Sequence, residues 1–159
     1  MADEIRAPLV GVILASPSEL QVLQQTGAML EKFGIPHEVR VMSALRNPDL
    51  VDEYARTAED RGLQVVICGG GLTGHLAGAV AARTVLPIIG VPISSKHASA
   101  LEALYSTAEM PSGVPVATVA VDGAVNAAIL AAQIIGVGDE EIRRRLRKFK
   151  DDLAEGLKL

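Results

Sequence analysis

The chain has 159 residues, 49% of them hydrophobic, with two Tyr, two Phe, no Trp and a formal net charge of −4. That length accommodates one domain with a substantial core and excludes two full ones. The acidic balance argues against a general nucleic-acid or anionic-membrane surface, and the scarcity of aromatics against a stacking platform for bases, so any anion must be held by a local site.

Apolar runs alternate with helical spacing from the start. Residues 9–14 (LVGVIL) form a continuous apolar run, the pattern of a central parallel strand covered on both faces. Helical spacing follows over 20–33 and closes at Gly34. A second strand is expected over 37–42 and a second helix over 48–61, ended by Gly62. Residues 65–68 read as a third strand, 74–84 as a third helix and 87–93 as a fourth strand. A short helix over 98–106, a fifth strand over 114–121 and an Ala-rich helix over 123–135 complete the pattern. The segment 139–157 places Ile142, Leu146, Phe149, Leu153 and Leu157 on one stripe of a charged helix, which must pack on this chain or a neighbour. The expected architecture is a flavodoxin-like, three-layer αβα fold. It has a five-stranded parallel doubly wound sheet in the order 2-1-3-4-5 and an extra amphipathic C-terminal helix. One domain spans 1–159, with its core at 8–137.

Compartment signals point to the cytoplasm. The single Cys68 cannot form an internal disulfide, which fits a reducing environment, and its place in a buried strand predicts an inert core thiol. The opening MADEIRAPLV lacks the order of a signal peptide. The longest apolar stretch, 114–137, is broken by Asp122, Gly123 and Asn126 and reads as a strand and a helix, with no membrane span expected.

In a doubly wound sheet ligands sit beyond the carboxyl ends of the strands, so three loops carry the functional reading. After the first strand, Ser16 and Glu19 have capping-box spacing around Pro17, and Ser16 and Ser18 offer hydroxyls where a phosphate or ribose can bind. After the second, Ser43 and Arg46 fit either a phosphate clamp or an ordinary turn. After the third, Gly69, Gly71 and Gly74 match a dinucleotide fingerprint only in letter, since they follow the wrong strand. A glycine-lined floor including Gly70 and Gly71, with His75 as donor or structural cap, is the better reading. His37, His75 and His97 lack metal-ligand spacing, so no metal is expected.

Taken in order, these loops resemble those of the PurE family, the carboxyaminoimidazole ribonucleotide mutases, also known as the catalytic subunit of phosphoribosylaminoimidazole carboxylase. The family patterns G-S-x-S-D, S-A-H-R-T-P-D and A-G-A-G-G-A-A-H-L-P-G correspond here to ASPSE from Ala15, SALRNPD from Ser43 and CGGGLTGHLAG from Cys68. The runs LPIIGVP, MPSGVPVAT and NAAILAAQI extend the match to about Gly136. The resemblance implies a homo-octamer of flavodoxin-like subunits with no cofactor and no metal. It implies transfer of a carboxyl group from the exocyclic nitrogen to a ring carbon of an aminoimidazole ribonucleotide. By motif, Ser18, Ser43 and Arg46 would hold the phosphate, Ser16 and Glu19 the ribose, and Gly70, Gly71 and His75 the base and carboxylate. The family's proton-carrying histidine is Leu45 in this chain. Either His75 or His97 moves the proton instead, or the site serves altered chemistry or a non-catalytic binding or assembly role.

Overall fold

A computed structural model describes residues 7–71, 75–96 and 99–159. The elements are β1 (Val10–Leu14), α1 (Leu20–Lys32), β2 (His37–Val41), α2 (Pro48–Thr57), β3 (Val65–Gly70) and α3 (His75–Ala81). They continue with β4 (Ile88–Pro92), α4 (Ala100–Ala108), β5 (Ala117–Thr118), α5 (Ala124–Gly136) and α6 (Glu140–Ala154). The five strands form one sheet, ordered β2-β1-β3-β4-β5, with every pair parallel. This is the doubly wound order expected from the sequence. Every residue of β1, β3 and β4 is buried, as continuous apolar runs require when both sheet faces are covered. β2 lies at an edge and is more open.

Two apolar layers flank the sheet. On one face, Leu23, Leu30 and Phe33 meet Val12, Leu14, Ile67 and the Ala-rich side of α5. On the other, Val51, Tyr54 and Ala55 of α2 and Leu76 and Val80 of α3 cover Ile13, Val66 and Cys68. Alanines on α5 let that helix approach α1 closely. Thr26 fixes the pair, its buried hydroxyl donating to the Ala124 carbonyl at 3.0 Å. The stripe on α6 packs on this chain: Ile142, Leu146 and Phe149 join the same core. Phe149 meets Phe33 edge-on with ring centroids 5.4 Å apart.

The structure corrects several expected boundaries. The fifth strand is only Ala117–Thr118, although 114–121 is an almost wholly apolar run. Val114 is held in a turn by Pro111, Pro115 has no N–H to give, and beyond Thr118 the chain turns between Ala120 and Gly123 through a left-handed Asp122 (φ 56°). α6 stops at Ala154, short of Leu157, because the chain reverses at Gly156. α2 gives way to turns after Thr57, and α3 ends at Ala81. Among the described residues no helix is long and apolar enough to cross a membrane.

Candidate functional site

The crossovers from β1 to β2 and from β2 to β3 run in opposite directions across the sheet, leaving a switch point between β1 and β3. The turns that follow β1, β2 and β3 meet there. In the first, Ser16 caps a short 3-10 turn, Pro17–Glu19, with the reciprocal bonds of a capping box. The Ser16 and Ser18 hydroxyl oxygens lie 3.0 Å apart. The Glu19 carboxylate accepts the N–H groups of Ala15 at 3.0 Å and Ser16 at 3.1 Å.

The turn after β2 is shaped by Ser43. Its buried hydroxyl oxygen accepts the N–H groups of Leu45 (3.3 Å) and Arg46 (3.2 Å), which leaves its O–H to donate. Asn47 closes the same turn, accepting from Ser43 N–H through its side chain and donating its own N–H to the Ser43 carbonyl. Arg46 then reaches across, and one guanidinium N–H donates to the Ala15 carbonyl at 2.9 Å.

The third turn opens where Gly70 ends β3 and its carbonyl accepts from Ile93 N–H. Gly71 N–H donates to Glu19 Oε1 at 3.2 Å, spanning 52 residues of sequence. A Cβ on Gly71 would stand 3.0 Å from the Ile93 carbonyl oxygen, so the close approach of these turns needs a glycine. Gly69 lies inside β3, packed under Leu23, so the letter-match to a dinucleotide fingerprint has no structural counterpart there. Burial pushes the Glu19 carboxyl above its ordinary range, against the opposing pull of the Gly71, Ser16 and Ala15 N–H groups and the Arg46 charge.

Ser16, Ser18, Glu19, Ser43, Arg46, Gly70 and Gly71 therefore gather in one place. Leu45 is exposed at the tip of its turn, with nothing on it that can carry a proton. His75, the first residue of α3, is exposed beside a hollow of about 570 Å³ lined also by Glu102, Tyr105, Ser106 and Glu109 of the α4 side. No bond among the described residues ties it to the Glu19–Arg46 group. His97 and the segment 72–74 lie outside the described residues. Cys68 is buried, and burial pushes its thiol up, leaving it unreactive. The described residues contain no group of three or more His, Cys, Asp or Glu able to hold a metal ion.

Two participants had no role in the sequence reading. Asn47 closes the β2 turn, and Asp122 braces the loop after β4 by accepting Ser94 N–H (3.0 Å) and O–H (2.6 Å). The dipeptides Asn47-Pro48 and Asp122-Gly123 are turn signals that would have marked both.

Fold and site together define a doubly wound α/β protein with a cluster of polar turns at its switch point. The AIR carboxylase family matches residues 9–156, and the chain belongs to that family. It is 49% identical over 146 residues to the N5-carboxyaminoimidazole ribonucleotide mutase of Pyrococcus horikoshii, covering 92% of this chain and 82% of that one. With the mutase of the same name from Thermotoga maritima it shares 48% over 144 residues, 91% of this chain and 84% of the other. Its fold superimposes on the crystal structure of Treponema denticola PurE with a TM-score of 0.83 at 30% identity, covering 93% and 92% of the two chains.

Proposed function

We propose that this protein is a carboxyaminoimidazole ribonucleotide mutase of purine synthesis, acting in the cytoplasm as a homo-octamer of one-domain subunits. The observation that carries the reading is the meeting of three turns, joined by Arg46 to Ala15 and by Glu19 to Gly71, in a chain nearly half identical to curated mutases along most of its length. That identity favours the mutase over a non-catalytic or altered-chemistry relative. In this reading Ser18, the Ser43 hydroxyl and the remaining donors of Arg46 take the phosphate. Ser16 faces the ribose, and Gly70 and Gly71 line the floor under the base.

The chemistry asks little of the protein beyond enclosure and one proton carrier. The bond from the exocyclic nitrogen to the carboxyl carbon breaks and releases carbon dioxide; the nitrogen keeps the electron pair and takes up a proton. The ring carbon then attacks the trapped carbon dioxide and gives up its own proton. One group that delivers a proton and recovers it serves both halves. Leu45 cannot be that group. His37 begins β2, at the opposite end of the strand from these turns. The role falls to His75, which opens α3 just beyond the glycine turn, with His97 the second candidate.

The test is turnover of carboxyaminoimidazole ribonucleotide, with His75→Asn and His97→Asn beside the unmodified chain. Turnover that His75→Asn abolishes is expected. A protein stabilised by the nucleotide but without turnover would overturn the enzymatic reading.

A further inference from the structure

Tyr54 carries a hydroxyl into the layer between α2 and the sheet, beside the apolar Val51, Ala55 and Ala58. That hydroxyl donates to Glu38 Oε1 on β2 at 2.8 Å. Arg61, in the turns that follow α2, donates to the same oxygen at 2.7 Å. Its guanidinium lies 4.6 Å from the centre of the Tyr54 ring, within cation–π reach. β1 makes room for the group. Gly11 pairs with Glu38, and a Cβ at Gly11 would collide with the Tyr54 hydroxyl oxygen. Glycine weakens a strand interior, and here the hydroxyl above it is what needs the space.

What α2 carries at its head is the turn after β2. Asn47 N–H donates to the Ser43 carbonyl at 2.8 Å, and Val51 N–H to the Asn47 carbonyl at 3.2 Å. The turn thus continues the four-residue ladder of α2, so Ser43 and Arg46 move with that helix. At its other end the turn hangs from β2, where Met42 N–H donates to the Leu14 carbonyl at 2.9 Å. Among the described residues, no side-chain hydrogen bond other than that of Tyr54 joins α2 to β2. The ion pair of Asp52 with Arg83 ties α2 to the turn after α3 instead, through partly exposed side chains that hold weakly.

We infer that Tyr54 is a positioning residue: its hydroxyl, with Glu38 and Arg61, clamps α2 against β2 and so sets where the Ser43–Asn47 turn presents Ser43 and Arg46. This rests on the proposal above that this turn takes the phosphate. The clamp lies about two helical turns from Asn47 and touches no part of the site itself. It acts through the helix.

The experiment compares the unmodified protein with Tyr54→Phe, which deletes the hydroxyl but keeps the ring and leaves Glu38 paired with Arg61. Phe149→Leu, in the opposite apolar layer, controls for lost stability alone. Amide hydrogen exchange is read by mass spectrometry on a peptide covering 42–51. Loss of one hydrogen bond should speed exchange there about 5- to 10-fold in Tyr54→Phe and leave it unchanged in Phe149→Leu. The KM for carboxyaminoimidazole ribonucleotide and the Kd for ribose 5-phosphate should rise together, about 3- to 10-fold, with kcat within about twofold, because a grip on the phosphate is made equally in ground and transition states. Gly11→Ala should lower the Tm more in the unmodified chain than in Tyr54→Phe, where the colliding oxygen is gone. A lower Tm in Tyr54→Phe with exchange over 42–51 and KM both unchanged makes Tyr54 a packing residue only and overturns the inference. So does a Gly11→Ala loss that Tyr54→Phe does not relieve. If the unmodified chain binds no ribose 5-phosphate, the phosphate reading fails, while the exchange comparison still decides whether the clamp holds the turn.

Discussion

Replacing Arg46 separates the brace it gives the β1 turn from the anion binding proposed for it. Its side chain gives one N–H to the Ala15 carbonyl and carries four further donors and a fixed positive charge. Hydrogen bonds to a charged partner contribute about 1.5–3 kcal/mol each. Arg46→Ala should therefore weaken binding of ribose 5-phosphate by about 10- to 150-fold, at 1.4 kcal/mol per decade. Arg46→Lys keeps the charge but can satisfy either Ala15 or the phosphate, and should fall between. The brace itself is a neutral-acceptor bond on an exposed residue, so the unliganded protein should lose no more than about 1 kcal/mol. For a chain of this length that is roughly a 2–4 °C fall in Tm. Calorimetric titration measures the first effect and thermal unfolding the second. Unchanged affinity in Arg46→Ala would remove Arg46 from the phosphate site. A collapse of Tm with affinity retained would make it purely a structural brace.

Leu45→His should raise mutase turnover on the order of 10-fold or more, since a positioned acid–base group typically contributes 10²–10⁴; no gain in a coupled spectrophotometric assay would count against Leu45 as the vacated proton-carrier position. Phe149→Ala removes a buried ring packed on Phe33 and should cost about 3–5 kcal/mol in urea unfolding. A loss below about 1 kcal/mol would mean that α6 does not seat on its own chain in solution. At the β2 edge, burial pushes the Glu38 carboxyl up, but the bonds from Arg61 and Tyr54 outweigh it and hold it below the usual range. A carboxyl depressed in the folded state adds stability that is complete above its unfolded value, near 4.5, and is lost as the pH falls through the folded one. Glu38→Gln should flatten the acid side of the stability–pH curve below about pH 4.5, and an unaltered curve would refute the assignment.

The fold was legible because each central strand is an uninterrupted apolar run and glycines close the turns that follow α1 and α2. Gly34 and Gly62 mark turns that the structure keeps. The fifth strand is shorter than expected because a nearly continuous apolar run over 114–121 does not report which backbone groups pair. Pro115 and the left-handed Asp122 decide the pairing. In the site, Ser16, Ser43 and Arg46 were visible as residue types in turns, and their convergence followed from strand order. The direction of Glu19 was not visible. As a capping-box member it satisfies the local pattern completely, and the bond to Gly71 depends on how two strands end side by side.

The hydroxyl of Thr26 ties α1 to the start of α5 across 98 residues. During synthesis, β1, β2 and β3 emerge first, and with them the turns that follow them. The apolar face of α1 is covered only in part, by β1 and β3, until α5 follows, and every strand pairing is a non-local contact closed through a crossover. A nascent chain ending near residue 120 would thus hold the first four strands above an open flank, with Thr26 facing water instead of a carbonyl. Completion of the last quarter of the chain is the step that turns a loosely held sheet into a locked one, and it places the hazard of aggregation before that step and not after it.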